Sequence, residues 1–129
     1  MIVVTGGAGF IGSAIAQELN VRGRIDLLVV DDVDHPEKEK NITSIKYQEL
    51  IGKNSFLEKI IDRNIDSIEV IIHMGACSST TETDEEFLTK NNYHYTRHLA
   101  TYALEKNIRF IYASSAATYG NGEMGYSDD

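Results

Sequence analysis

Five short apolar runs are spread along the chain, and polar or helically patterned segments separate them. The first, second, fourth and fifth runs contain apolar residues at successive positions rather than only at alternate ones. That pattern is typical of strands in a parallel sheet that helices cover on both faces. The five runs are residues 2–4, 25–30, 44–49, 68–72 and 108–113. The third of them has the weakest strand pattern.

The first two connecting segments differ in character. Apolar residues recur every three to four positions over residues 10–21, which predicts an amphipathic helix that Gly23 closes. Residues 33–41 are polar and contain Pro36, the only proline of the chain. We therefore expect a surface loop there, because proline and clustered charges are typical of irregular connections.

The two later segments each begin with the pattern of a capping box. Ser55 and Glu58 have the required spacing, and they predict a helix that ends near residue 64. Thr83 and Glu86 have the same spacing and open a longer helix, which runs to about residue 106. Acidic residues in the first turn of this second helix suit the helix dipole.

Alternation of strands and helices predicts the fold class. Such a chain forms a parallel sheet with right-handed crossovers, and the ligand lies at the carboxyl ends of the strands. We expect an α/β, Rossmann-type doubly wound sheet of five strands in the order 3-2-1-4-5. Residues 1–129 are long enough for one domain with a hydrophobic core, although they are near the lower limit for this fold.

Composition excludes several classes of partner. The 12 Lys and Arg residues against 20 Asp and Glu residues give a net charge of −8, which argues against nucleic acid and anionic membrane surfaces. The single cysteine, Cys77, excludes an internal disulfide and suits a reducing compartment. No basic leader with an apolar run opens the sequence, and no apolar stretch is long enough to span a membrane. These features predict a cytoplasmic protein.

A glycine-rich turn follows the first predicted strand. It contains Gly6, Gly7 and Gly9, which can adopt backbone angles closed to other residues, and it leads into the first helix. At Gly12 the missing side chain lets the helix lie close to its strand. The first amides of a helix are unpaired and sit at the positive end of its dipole. The turn therefore predicts a phosphate site, and a dinucleotide is the natural ligand in this context.

Asp31 supports the same interpretation. It lies 19 positions after Gly12, at the end of a predicted strand, where a carboxylate can accept hydrogen bonds from the adenosine ribose. The residues nearby leave the choice of cofactor open. Asp31 and Asp32 repel a 2′-phosphate and favour NAD, whereas a phosphate can be neutralised by lysines in this region, namely Lys38, Lys40 and Lys53.

Four other residues with reactive side chains were weighed as candidates. His94 and His98 are four positions apart on a predicted helix, but no third ligand accompanies them, so we interpret them as helix surface and predict no metal site. His73 and Cys77 have the chemistry of a base and a nucleophile. Because both lie where a strand passes into a loop beside the dinucleotide, we favour a packing or cofactor-wall role.

Tyr102 and Lys106 have the Tyr-x-x-x-Lys spacing that many nicotinamide enzymes use for acid–base chemistry. Their helix starts near Asp84, at the carboxyl edge of the sheet. Tyr102 is 18 residues further along, which is roughly 27 Å at the helical rise. We therefore expect this pair at the opposite edge, away from the cofactor.

Three features together resemble the extended short-chain dehydrogenase/reductase superfamily. They are the glycine turn of residues 5–12, the strand-end Asp31 and the small-residue segment of residues 114–120. A narrower resemblance rests on two further segments, residues 75–82 and 91–93. With them, the chain is similar along its whole length to the ADP-L-glycero-D-manno-heptose 6-epimerase family rather than to sugar-nucleotide epimerases in general.

The narrower resemblance implies a bound NADP, with NAD as the other possibility. Phe10 and Ile11 then lie at the pyrophosphate turn with Gly6, Gly9 and Gly12. The family usually has asparagine where this chain has Asp32. The other implied cofactor-binding residues are Asp31, Asp32, Lys38, Lys53, Gly75, Ala76, Cys77, Ser78, Ser79 and Asn92.

The implied reaction inverts C6 of ADP-D-glycero-D-manno-heptose, a step of lipopolysaccharide core biosynthesis, by transient oxidation and re-reduction. Ser115 corresponds to the active-site serine, whose hydroxyl stabilises charge on the reacting oxygen. The acid–base Tyr-x-x-x-Lys of the family follows the segment that contains Ser115, and residues 116–129 do not contain it. We therefore expect the amino-terminal, cofactor-binding part of an epimerase, inactive on ADP-heptose by itself.

We also expect a homo-oligomer, with no nucleic acid or membrane partner. In the 129-residue chain the fifth strand is expected to be an exposed sheet edge that promotes self-association. Two alternatives remain. One is another nucleotide-sugar epimerase or dehydratase, and the other is a non-catalytic dinucleotide-binding module.

Overall fold

The computed structural model describes residues 1–74 and 85–112, and the side chains of residues 1–74 and 93–112. Strands and helices alternate along these residues. The strands are β1 (Ile2–Thr5), β2 (Leu27–Val30), β3 (Glu49–Ile51), β4 (Val70–His73) and β5 (Arg109–Tyr112). The helices are α1 (Phe10–Val21), α2 (Pro36–Thr43), α3 (Lys53–Ile61) and α4 (Glu85–Lys106).

The five strands form one parallel sheet in the order β3-β2-β1-β4-β5, which confirms the predicted order and fold class. The pairing register aligns the ends of the strands. Thr5 of β1 pairs with Val30 of β2 and with His73 of β4, and His73 pairs with Tyr112 of β5. Val30 also pairs with Ile51 of β3, so the last residues of all five strands form one row, which we call the carboxyl edge. The opposite border is the amino edge.

Two hydrophobic clusters cover the two faces of the sheet. Because successive side chains of a strand point to opposite faces, Val3 packs in one cluster while Ile2 and Val4 pack in the other. Helices α3 and α4 contribute Phe56 and Leu99 to the Val3 cluster. Helix α1 packs on the opposite face. The strands of the centre are thus buried on both faces, as their continuous apolar runs predict.

The prediction of a loop over residues 33–41 was wrong, because α2 (Pro36–Thr43) is a helix. Pro36 occupies the first helical turn, where its missing N–H costs nothing and its fixed φ suits a helix. Glu37 lies in the first turn and Lys40 in the last, as the helix dipole favours. Proline and charges at these positions begin and support a helix instead of interrupting one.

The predicted start of α3 was also wrong. The helix begins at Lys53 with Gly52 as its N-cap, so Ser55 does not cap it. A carboxylate from elsewhere in the chain performs the same function, since Asp32 Oδ1 accepts a hydrogen bond from the Lys53 amide at 3.0 Å. The third strand covers Glu49–Ile51, so it shares only Glu49 with its predicted range of residues 44–49. The capping box predicted from Thr83 lies outside the described residues.

Exposed ion pairs connect the strand entrances at the amino edge. Arg24 contacts Asp26 at 2.9 Å and Glu69 at 2.7 Å. The Met1 ammonium group lies 3.4 Å from the Glu69 carboxylate and donates to the carbonyl of Ser67 at 2.6 Å. Arg24 lowers the pKa of Asp26 to about 2 through its hydrogen bond. These pairs bring the starts of β1, β2 and β4 together.

Within residues 1–74 and 85–112, no helix has both the length and the apolar character that crossing a membrane requires.

Candidate functional site

The glycine turn is tied to the sheet by its backbone. The Gly6 amide donates to the Val30 carbonyl at 2.7 Å, and the Gly9 amide donates to the Gly6 carbonyl at 3.0 Å. Gly6 has a φ of +70°, a value that favours glycine. Gly9, with φ −78° and ψ 178°, is extended. The expectation of unusual backbone angles at all three glycines of the turn therefore holds at Gly6 only.

Close packing explains two other glycines. A Cβ on Gly12 would lie 2.0 Å from the carbonyl oxygen of Gly6, and a Cβ on Gly7 would lie 2.8 Å from a methyl group of Val29. Helix α1 thus approaches the turn itself, whereas the sequence suggested an approach to the strand. By contrast, a Cβ on Gly9 would meet the Gly6 oxygen at an ordinary 3.4 Å.

The amino end of α1 has the properties of an anion site. Gly9 is its N-cap and provides no side chain, and no acidic residue lies in the first turn. Phe10 and Ile11 follow directly, with 86% and 55% of their surface exposed, so the chain approaches solvent here. Unshielded helix amides over an open turn fit the phosphates of a dinucleotide.

Asp31 braces this turn from the end of β2. Its side chain is buried, and its Oδ2 accepts a hydrogen bond from the Ala8 amide at 3.0 Å. Its Oδ1 accepts two more, from the Asp32 amide at 2.8 Å and from the Lys38 ammonium at 3.0 Å. Both carboxylate oxygens are therefore engaged by the chain itself.

Side chains of helix α2 contact the same region, where β2 ends beside the glycine turn. Lys38 Nζ donates to the Asp32 carbonyl as well as to Asp31, and it lies 3.7 Å from the Asp34 carboxylate. Burial alone lowers the pKa of Lys38, but the hydrogen bond and charge of Asp31, together with the charges of Asp34 and Asp32, raise it overall. Asn41 donates to the Ala8 carbonyl at 2.8 Å. Asn41 was missed because residues 33–41 were interpreted as a loop, and a helical reading would have placed Lys38 and Asn41 one turn apart.

Lys53 and Asp32 meet at the start of α3. The Asp32 carboxylate caps the helix through the Lys53 amide, and the Lys53 carbonyl accepts a hydrogen bond from the Tyr95 hydroxyl at 3.0 Å. Burial raises the pKa of Tyr95 far above its usual range. The backbone of Lys53 thus connects β2 to α4.

His73 lies at the centre of the carboxyl edge and is buried. Its Nδ1 is 2.6 Å from Thr5 Oγ1, and its Nε2 is 2.9 Å from Thr96 Oγ1 on α4. The imidazole stacks on Tyr95, at 5.8 Å between ring centroids, and on Tyr112, at 5.3 Å. Burial, with the nearby Lys53 ammonium, lowers its pKa to about 4. His73 is therefore buried and packed at this edge, where a packing or cofactor-wall role was expected.

Several predicted site residues are not described. Helix α4 includes Asn92, whose side chain lies outside the described part. The remaining cofactor-binding and catalytic candidates, which are Gly75, Ala76, Cys77, Ser78, Ser79 and Ser115, lie outside the described residues.

The other candidates lie away from this edge or on the surface. His94 and His98 are exposed on α4, as expected. No group of three metal-ligating side chains occurs among the described residues. Tyr102 is buried, and its hydroxyl donates to the Ile65 carbonyl at 3.0 Å, in the segment that enters β4. The Tyr102 and Lys106 pair therefore lies at the amino edge, as helix length predicts.

Comparison with known proteins gives consistent matches. Residues 2–129 match the model of a family described as "NAD dependent epimerase/dehydratase family". An ADP-L-glycero-D-manno-heptose-6-epimerase of Fusobacterium nucleatum is 53% identical over the whole chain, and one of Brachyspira hyodysenteriae is 48% identical. The chain spans 39% and 41% of the lengths of these two relatives.

A solved structure agrees with the sequence matches. The crystal structure of the Helicobacter pylori ADP-L-glycero-D-manno-heptose-6-epimerase superposes with a TM-score of 0.74 and is 31% identical. The match covers 93% of this chain and 40% of that one. The fold and the family-model match thus agree.

Proposed function

Because the chain belongs to the NAD dependent epimerase/dehydratase family, we propose that its carboxyl edge binds NADP as part of an ADP-heptose 6-epimerase. The observation that carries the proposal is the amino end of α1, which has no capping side chain and no acidic first turn and stands over the Gly6 turn. Such an end supplies amide donors and positive potential to a pyrophosphate. The curated relatives that carry the epimerase name support the substrate.

The hydrogen bonds of Asp31 support NADP over NAD. A ribose that carries both hydroxyls is held by a carboxylate with free acceptor positions. In this chain the Asp31 oxygens already accept bonds from the Ala8 and Asp32 amides and from Lys38. The Lys38 ammonium stands at the same corner and offers the positive charge that a 2′-phosphate needs.

The acidic character of Asp32 is compatible with this choice. Its Oδ1 is committed to the Lys53 amide at the amino end of α3, where the helix dipole offsets the negative charge. We therefore propose that Asp32 acts as a helix cap in the position where the family usually has asparagine, and that it does not reject the 2′-phosphate.

The remaining roles follow the family resemblance. Gly6, Gly9, Phe10, Ile11 and Gly12 hold the pyrophosphate. A bound nicotinamide supplies reversible hydride acceptance. Ser115 donates a hydrogen bond to the reacting oxygen of the sugar, and the remaining cofactor contacts come from Lys53, Gly75, Ala76, Cys77, Ser78, Ser79 and Asn92.

Titration of NADPH and NADH against the purified chain, followed by nicotinamide fluorescence, tests the cofactor. We expect tighter binding of NADPH, and we expect Lys38→Ala to remove most of that preference. Lys40→Ala is the matched control, because Lys40 lies exposed on the same helix. Equal affinity for the two cofactors in the unmodified chain, or equal effects of the two lysine variants, would contradict the proposal.

Incubation of the complete protein with ADP-D-glycero-D-manno-heptose tests the reaction. We expect NMR to show inversion at C6 without net consumption of cofactor. Loss of a water molecule from the sugar, or epimerisation at another carbon, would instead identify another member of the family.

Sedimentation of the same preparation tests the proposed homo-oligomer. The exposure of Ile111 and Tyr112 on β5 supports that proposal in this chain.

A further inference from the structure

A series of hydrogen bonds runs along the carboxyl edge from one side of the glycine turn to the other. From the turn, Thr5 reaches His73, which reaches Thr96 on α4. The neighbouring Tyr95 bonds to the Lys53 carbonyl, and the Lys53 amide bonds to Asp32. The Asp32 amide donates to the Asp31 carboxylate. The same carboxylate accepts a hydrogen bond from the Ala8 amide, in the glycine turn. The series of hydrogen bonds therefore begins at Thr5 and ends at Ala8, on the two sides of the glycine turn.

We propose that His73 is a positioning residue for the dinucleotide site, because its imidazole joins Thr5, beneath the glycine turn, to Thr96 on α4. This inference rests on the proposed function and goes beyond it, since His73 lies beneath the site and is not among the cofactor-binding residues. The hydrogen bonds of His73 thus fix the position of the glycine turn relative to α4.

The choice of residue argues against packing alone. His73 is surrounded by aromatic rings, the nearest being Tyr95, Phe110 and Tyr112. A phenylalanine would fill such a site without the cost of burying polar atoms. Histidine stabilises the site only because both ring nitrogens find hydroxyl partners, at 2.6 and 2.9 Å.

The two threonine partners must act as a pair. An imidazole with one N–H donates through one nitrogen and accepts through the other. Whichever tautomer forms, one threonine hydroxyl donates to His73 and the other accepts from it. A change at Thr96 therefore alters the bond at Thr5, on the opposite side of the ring.

Thr5 transmits this constraint to two parts of the site. It directly precedes Gly6, and its hydroxyl oxygen accepts a hydrogen bond from the Met74 amide at 3.0 Å. Met74 follows β4 and directly precedes Gly75. One hydroxyl thus contacts the exits of both central strands, from which the glycine turn and the segment after β4 begin.

Substitution of Thr96 tests the inference at a distance from the turn. In Thr96→Val the shape and the helix are kept and only the hydroxyl is lost. We expect NADPH to bind about tenfold more weakly, which corresponds to the loss of one buried hydrogen bond. We also expect faster hydrogen exchange of the Gly9 amide in the unliganded chain. Thr101→Val is the matched control, since Thr101 is exposed on the same helix, and it should change neither quantity.

His73→Phe separates hydrogen bonding from stacking, because it keeps the aromatic contacts. If the inference is right, the double variant with Thr96→Val binds NADPH no more weakly than His73→Phe alone. Additive losses, or unchanged affinity and exchange in Thr96→Val, would overturn it. If the unmodified chain does not bind NADPH, the proposed function fails, and the exchange of the Gly9 amide in the Thr96→Val chain still decides this inference.

Discussion

The two edges of the sheet use charge in different ways. At the carboxyl edge the Asp31 side chain is 3% exposed, and it accepts bonds from the Ala8 amide and the Lys38 ammonium. At the amino edge the Glu69 side chain is 53% exposed and contacts Arg24. A buried carboxylate requires all of its partners, whereas an exposed pair exchanges protein partners for water at little cost.

The difference indicates where geometry matters. At the carboxyl edge, side chains bond to backbone groups of the turn and of the helix starts, so they determine the positions of those segments. At the amino edge, the ion-paired side chains of Arg24, Asp26 and Glu69 contact one another in exposed positions, where they tolerate movement. Position is thus constrained at the border where the ligand is proposed to bind. Four experiments test this comparison.

Gly12→Ala should have the largest effect. The new Cβ would lie 2.0 Å from the Gly6 carbonyl oxygen, so α1 must move away from the turn. We expect a loss of about 3 kcal/mol in unfolding free energy, together with loss of NADPH binding. Denaturant unfolding and fluorescence titration measure the two effects.

Gly9→Ala is the matched variant for that experiment. A Cβ at Gly9 meets the Gly6 oxygen at 3.4 Å, an ordinary contact, in an extended backbone. We expect nearly unchanged stability with weaker NADPH binding, because the methyl group stands where the phosphates approach. Equal destabilisation by the two alanines would show that the crowding is not specific to Gly12.

Acidification should act next, through His73. In the folded chain its pKa is about 4, below the 6.5 or so of an unfolded histidine. As the pH falls, the unfolded state therefore binds the proton first. The contribution of His73 to folding stability is fully present above pH 6.5 and is lost as the pH drops towards 4. The loss at the lower end is at most about 3 kcal/mol.

His73→Phe should remove this dependence between pH 6.5 and 4, as denaturant unfolding at several pH values can measure. The charged or titratable groups that face the ring are Lys53 from α3, Tyr95 from α4 and Tyr112 from β5, and His73→Phe leaves all three in place. An unchanged slope in the variant would assign the effect to other groups.

Tyr102→Phe should have a smaller effect, confined to stability. It removes the hydroxyl that donates to the Ile65 carbonyl at the amino edge, at a cost of about 1 kcal/mol. NADPH affinity should remain that of the unmodified chain. Weaker binding in this variant would contradict the placement of the Tyr102 and Lys106 pair away from the cofactor.

Arg24→Ala should have the smallest effect. Its contacts with Asp26 and Glu69 are exposed, so we expect a small fall in the thermal midpoint at low salt. The difference should disappear at high salt, because ions screen surface charges. A fall that persists in high salt would show that the amino edge depends on this arginine for more than charge.

Much of the fold could be predicted from local patterns. Apolar runs and helical spacing predicted the order of the strands, and the glycine pattern placed the turn before α1. The length of α4 alone placed Tyr102 at the amino edge. Where the prediction failed, as at Pro36 and Ser55, a local signal was compatible with two structures, and tertiary contacts decided between them.

The sequence by itself placed the glycine turn, Asp31 and His73 beside the ends of strands, because strand period and turn chemistry are local properties. It did not determine their partners. Only the tertiary structure showed that Asp31 braces the Ala8 amide, that Asp32 caps α3 and that His73 joins β1 to α4. The physical reason is that a hydrogen bond depends on which segments lie within about 3 Å of each other, and folding brings together residues that are far apart in the sequence.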